Sequence, residues 1–132
     1  MTEKTKLLHK ELTDQILGGF FTVYNALGYG FLEHPYANAL ALELGSRGLC
    51  VEREVRIDVK FEGHTVGHYR MDMVVNRIAV VEVKAGSAMA EADQRQLLNY
   101  IRAGSFPVGL LLHFGPDPRF KRFVWTGRGF ER

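Results

Sequence analysis

Met71-Asp72-Met73-Val74-Val75-Asn76-Arg77-Ile78-Ala79-Val80-Val81-Glu82-Val83-Lys84 carries the strongest structural signal in the chain. Two apolar runs flank the polar pair Asn76-Arg77, the pattern of two strands joined by a hairpin turn. The second run, Ile78 to Val83, is nearly continuous in apolar character, as strands buried on both faces are. A charged pair at the end of such a strand demands a chemical reason. Residues i and i+2 share one face of a strand, so Glu82 and Lys84 project together. Hard divalent cations take carboxylate oxygens as ligands, and a phosphodiester under attack is served by a metal with a cation beside it. Whether Asp72 joins the pair depends on register. A plain two-residue Asn76-Arg77 turn pairs Asp72 with Val81 and sends Glu82 to the opposite face, whereas a three-residue connection or a bulge sets Asp72 against Glu82. A metal site here therefore predicts a bulge or a wider turn.

The pattern extends in both directions. Cys50 to Phe61 alternates, with Val51, Val55, Ile57 and Val59 apolar against charged neighbours, and reads as a half-buried strand closed by a turn at Glu62-Gly63-His64. Thr65 to Val75 is then the second strand and Ile78 to Lys84 the third. Upstream, residues 5 to 28 carry apolar positions at helical spacing and predict a long amphipathic helix ending at Gly28-Tyr29-Gly30. Gly18-Gly19 weakens its middle by about 1 kcal/mol per glycine and is expected to let the helix approach the sheet. A second helix runs from Leu32 or Pro35 to Arg47, with Tyr36, Leu40, Leu42 and Leu44 apolar and Pro35 in its first turn. Downstream, a helix over Ala90 to Ala103 leads to an apolar strand, Val108 to Phe114. The turn Gly115-Pro116-Asp117-Pro118 is followed by an edge strand over Phe120 to Thr126. Strand, helix, strand over residues 78 to 114 is a crossover, so those two strands are expected to be parallel. The class is α/β, a mixed sheet covered by helices in the order α-α-β-β-β-α-β-β.

The chain has 132 residues, 46% hydrophobic and 24% charged, the profile of one globular domain over residues 1–132. Its net charge of +2 permits nucleic-acid contact without arguing for it. The one cysteine, Cys50, excludes an internal disulfide and is expected in the core, in keeping with a reducing, cytoplasmic compartment. The polar stretch Met1 to Lys10 does not look like a signal peptide, and no run approaches membrane-spanning length. There is no CxxC, HExxH or glycine-rich phosphate loop, and His64, His68 and His113 have no ligand spacing. Arg95, Arg102, Lys121 and Arg122 either follow a nucleic-acid backbone or form a solvated surface.

This layout resembles the PD-(D/E)xK nuclease-like superfamily and, within it, the GxxExxY family. The name motif stands as Gly30-Phe31-Leu32-Glu33-His34-Pro35-Tyr36, the metal motif as Asp72 with Glu82-Val83-Lys84, and a glutamine–tyrosine motif as Gln96-Leu97-Leu98-Asn99-Tyr100. Met71 stands where the superfamily label has proline. The resemblance implies a restriction-endonuclease-like fold and a Mg²⁺ or Mn²⁺ cofactor. It implies that Asp72, Glu82 and the Val83 carbonyl hold the metal, with Glu33 as a third carboxylate, direct or through water. Lys84 would orient or help deprotonate the attacking water. Gln96 would position the lysine or a phosphate, and Tyr100 would contact phosphate or close the pocket. Arg70, two residues before Asp72, would contact phosphate if strand alternation holds.

Three functions of different classes follow. The first is a metal-dependent nuclease acting on DNA or RNA. The second is a catalytically silent module of the same fold that binds nucleic acid or protein, with substrate choice supplied by a partner protein or a homodimer. The third is a structural homo-oligomer whose acidic cluster supports an interface.

Overall fold

The computed structural model describes residues 2–131. Helix α1 spans Glu3–Leu27, starting earlier than its apolar period because the Thr2 hydroxyl accepts a hydrogen bond from the Thr5 N–H at 3.1 Å. It ends at Gly28, whose φ of +71° few other residues adopt. Helix α2 spans Glu33–Ser46 with Pro35 in its first turn. Five strands and one further helix follow: β1 Val51–Phe61, β2 His64–Val75, β3 Ala79–Ala85, α3 Glu91–Gly104, β4 Val108–Phe114 and β5 Pro118–Val124. The order is the one expected from sequence. The strands form one sheet in the order β1-β2-β3-β4-β5, antiparallel except for the parallel β3–β4 pair across the α3 crossover.

The sheet separates two apolar clusters. On one face Met73, Val75, Val81, Val83, Leu110, Leu112 and Phe114 pack against Ile16, Phe20, Tyr36 and Leu40 of α1 and α2. On the other, Met71, Val74, Val80 and Leu111 pack against Leu97, Tyr100 and Ile101 of α3. Burying a side chain of this size contributes about 2 kcal/mol, so every residue of β4 being buried makes that strand the spine of the fold.

Four expectations are corrected. Gly18-Gly19 admits α2, not the sheet: a Cβ on Gly19 would lie 2.7 Å from Leu44 Cδ2, and one on Gly18 2.8 Å from Arg47 Nη1. Leu42 is 78% exposed, because only Tyr36, Ala37, Leu40 and Leu44 lie on the inward stripe of α2. Cys50 is exposed, standing just before β1. Strand β5 begins two residues early because Pro118, at a sheet edge where no N–H is needed, pairs with Phe114. Among the described residues no helix is long and apolar enough to cross a membrane.

Candidate active site

The connection between β2 and β3 sets the site. The Val75 carbonyl accepts a hydrogen bond from the Ile78 N–H at 3.0 Å, and Asn76 and Arg77 both have positive φ, 53° and 56°. That is the backbone of a type I′ hairpin turn. Yet Val75 pairs with Ala79, not with Ile78. Ile78 is therefore an extra residue that shifts the register by one. Asn76 anchors the turn to the start of β1: its Oδ1 accepts from the Cys50 N–H, and its own N–H donates to the Cys50 carbonyl, both at 2.8 Å.

The register runs Val75↔Ala79, Val74↔Val80, Met73↔Val81, so the next opposed pair is Asp72 and Glu82. Here the backbone ladder stops and side chains replace it. The Asp72 N–H donates to Glu82 Oε1 at 3.0 Å, and the Val83 N–H donates to Asp72 Oδ2 at 2.8 Å. The two strands part at this point, with Asp72 directed across the gap towards the edge of β3. In a strand the N–H and C=O of one residue leave on the same edge, so the Val83 carbonyl also faces the opening. Strand alternation breaks here as well. Met71 and Met73, two apart, belong to opposite clusters, and across from Asp72 on β1, Glu54 has a φ of +50°. Past the break, Arg70 neighbours Glu54, which lines one cavity with Asp72. Arg70 is exposed on the outer hairpin, its Nη1 4.0 Å from Glu54 Oε2.

Glu82 is 2% exposed. Burial, then the Asp72 charge, raises its carboxyl to about 8, against partial relief from the Asp72 N–H and Lys84. A buried carboxylate beside a second carboxylate needs a proton or a cation for compensation. Two carboxylates and a strand carbonyl are hard oxygen donors, so this part of the chain fits a divalent cation such as Mg²⁺. Glu33 stands apart, exposed at the first turn of α2, but it shares a small cavity of about 70 Å³ with Asp72, Val83 and Glu54. Among the described residues no three His, Cys, Asp or Glu side chains are gathered closely enough to hold a metal.

Lys84 lies on the Glu82 face, half-buried, with Nζ 3.9 Å from Asp93 Oδ1 on the first turn of α3. Asp93 also accepts from the Ala90 N–H at 3.4 Å, holding the helix start. Gln96 and Tyr100 line a groove of about 600 Å³ with Tyr69, Arg95, Asn99 and Arg102. Tyr100 is close enough to Glu82 and Asp72 that their charges, after burial, raise its pKa. The Tyr69 and Tyr100 ring centroids are 6.0 Å apart. Sequence reasoning missed Tyr69, Asp93 and Glu54. Only Asp93 had a signal, an acid three residues after a helix start.

The fold and this site define a class: a mixed α/β core in which two antiparallel strands part at an Asp–Glu pair, with a lysine two residues beyond and a glutamine–tyrosine helix alongside. The sequence profile of the PD-(D/E)XK nuclease superfamily matches residues 10–123, and the chain belongs to that superfamily. Among solved structures, the crystal structure of SSO0001 is similar at a TM-score of 0.47 and 18% identity, over 62% of this chain. The chain spans 45% of the length of that protein. No curated protein shows significant sequence similarity to the chain.

Proposed function

We propose that residues 1–132 form one divalent-metal-dependent nuclease domain that hydrolyses phosphodiester bonds in DNA or RNA. The observation that carries this reading is the one-residue register shift at Ile78, which sets Asp72 against Glu82 where β2 and β3 part. Asp72, Glu82 and the Val83 carbonyl would hold Mg²⁺ or Mn²⁺, with Glu33 reaching it directly or through water. When bound, the ion supplies positive charge for the phosphoryl oxygens of the substrate.

The residues of the chain do the rest. Lys84, held between Glu82 and Asp93, orients the attacking water and draws charge from the phosphate. Gln96 positions Lys84 or a phosphate from the facing helix. Tyr100 closes the groove beside the carboxylates, and Arg70, beside Glu54, contacts a phosphate. Water attacks phosphorus, and the P–O bond to the leaving sugar oxygen breaks.

Membership of the GxxExxY group is supported by what its residues do here. Gly30 has a φ of +121°, a backbone that favours glycine. Glu33 opens α2. The buried Tyr36 hydroxyl donates to the Gly28 carbonyl at 2.6 Å and accepts from the Phe31 N–H at 3.2 Å, while its ring stacks on Phe114 at 4.1 Å. The motif thus builds the corner that presents Glu33.

The test is cleavage of plasmid, single-stranded DNA and RNA in Mn²⁺ by the wild type and Lys84→Gln. The expected result is cleavage by the wild type and at least a hundredfold loss in the variant. Absence of wild-type cleavage on all three substrates would contradict the proposal.

A further inference from the structure

We propose that the cavity between the β3–α3 connection and the β4–β5 turn is a phosphate-binding subsite, with His113 at its floor and Arg119 and Lys121 as its cationic wall. The cavity holds about 670 Å³ and is also lined by Ser87 and Asp117. His113 is 1% exposed, and neither of its ring nitrogens has a hydrogen-bond partner in the protein. Interiors rarely leave a buried polar ring unpaired, so an unpaired one lining a cavity points to a ligand. Gly115 makes room for the ring: a Cβ there would lie 2.6 Å from His113 Cε1.

Charge gives the chemistry of that ligand. Among the described residues neither Arg119 nor Lys121 belongs to an ion pair, and Lys121 Nζ donates only to the neutral Gln94 Oε1, at 2.9 Å. Asp117 is the one carboxylate facing them from the lining. Burial lowers the His113 pKa, with Asp93 opposing and Arg119 adding to the effect, so the imidazole stands neutral with one N–H to donate. An anion with several acceptor oxygens suits that N–H and both cations in chemistry.

Position ties the anion to the site already described. His113 is the β4 partner of Lys84, and Arg119 is the β5 partner of His113. Neighbouring strands share a face in register and lie about 4.8 Å apart, so Arg119 stands roughly 10 Å across the sheet from Lys84. The row leads from the lysine of the proposed reaction into the cavity, where a flanking or terminal phosphate of the bound strand would sit. Only this last step, the origin of the phosphate, rests on the nuclease reading.

The experiment needs neither metal nor turnover. Inorganic phosphate, then a thymidine tetranucleotide with and without a 5′-phosphate, would be titrated into the metal-stripped protein while the His113 ring nitrogens are followed by NMR. Saturable shifts of the His113 signals, and at least fivefold weaker binding by Arg119→Gln, are the expected result. Arg119 is exposed, so that variant keeps the fold. Tighter binding of the 5′-phosphorylated strand would assign the subsite to a strand end, and equal binding to an internal phosphodiester. Static His113 signals, or an Arg119→Gln variant that binds as the wild type does, would overturn the subsite even if the protein cleaves in Mn²⁺. Shifting signals in a protein that never cleaves would uphold the subsite and remove the nuclease reading alone.

Discussion

At Glu82, burial and the Asp72 carboxylate raise a group that ordinarily titrates near 4.5 to about 8. The folded chain then binds more protons than the unfolded one between those values, so stability falls as pH rises through that window. The loss for the metal-free protein is roughly 3 kcal/mol at pH 7, taking about 1.4 kcal/mol per pH unit. Glu82→Gln should therefore raise the Tm of the metal-free protein at pH 7 and flatten its dependence on pH between 5 and 8, while abolishing stabilisation by Mn²⁺. Thermal melts at several pH values, with and without Mn²⁺, read all three effects. Arg77 offers a separate test, because its φ of +56° is strained for any side chain and its ion pair to Glu52 is exposed. Arg77→Gly should stabilise the fold by up to about 1 kcal/mol in urea unfolding. Asp72, Glu82 and Lys84 were legible in the sequence because charge inside an apolar strand is costly and must be used. Glu54 and His113 were not. The kink that turns Glu54 towards Asp72 and the cavity beneath His113 both depend on contacts between distant segments.

The β2–β3 connection is the element on which the site depends. Inserting one residue between Ile78 and Ala79, with the three-residue connection kept, should set the new residue against Val75, pair Asp72 with Val81 and turn Glu82 away from the opening. The expected outcome is a folded protein by circular dichroism, with affinity for Mn²⁺ reduced at least tenfold. An insertion variant that binds as the wild type does would show that register does not set the site. The sequence posed this alternative but did not decide it, because Asn76-Arg77 is compatible with either register. The wider one goes with an Asn76 side chain bonded back to Cys50, a contact across 26 positions. Helices and strands were legible where their periods were strong, as in α1 and β1. The partner of Gly18-Gly19 was not, because a missing side chain shows that something approaches closely without showing what.

Across the whole molecule, charge is nearly balanced, so any affinity for nucleic acid must come from local placement. The groove along α3 sets Arg95 and Arg102 beside Tyr69 and Tyr100. Replacing both arginines with alanine should weaken binding to all sequences alike and lower the slope of log affinity against log salt by about 1 to 2. Fluorescence anisotropy over a salt series measures this, and an unchanged slope would place the strand elsewhere. The superfamily was legible because three short motifs fall in order on the right elements, and the fold agrees with that order. Whether the parted strands form a metal site is read by calorimetric titration of Mn²⁺. Saturable binding to the wild type, lost in Asp72→Ala/Glu82→Ala, is the expected result. Equal binding by both proteins, or none by the wild type, would contradict it.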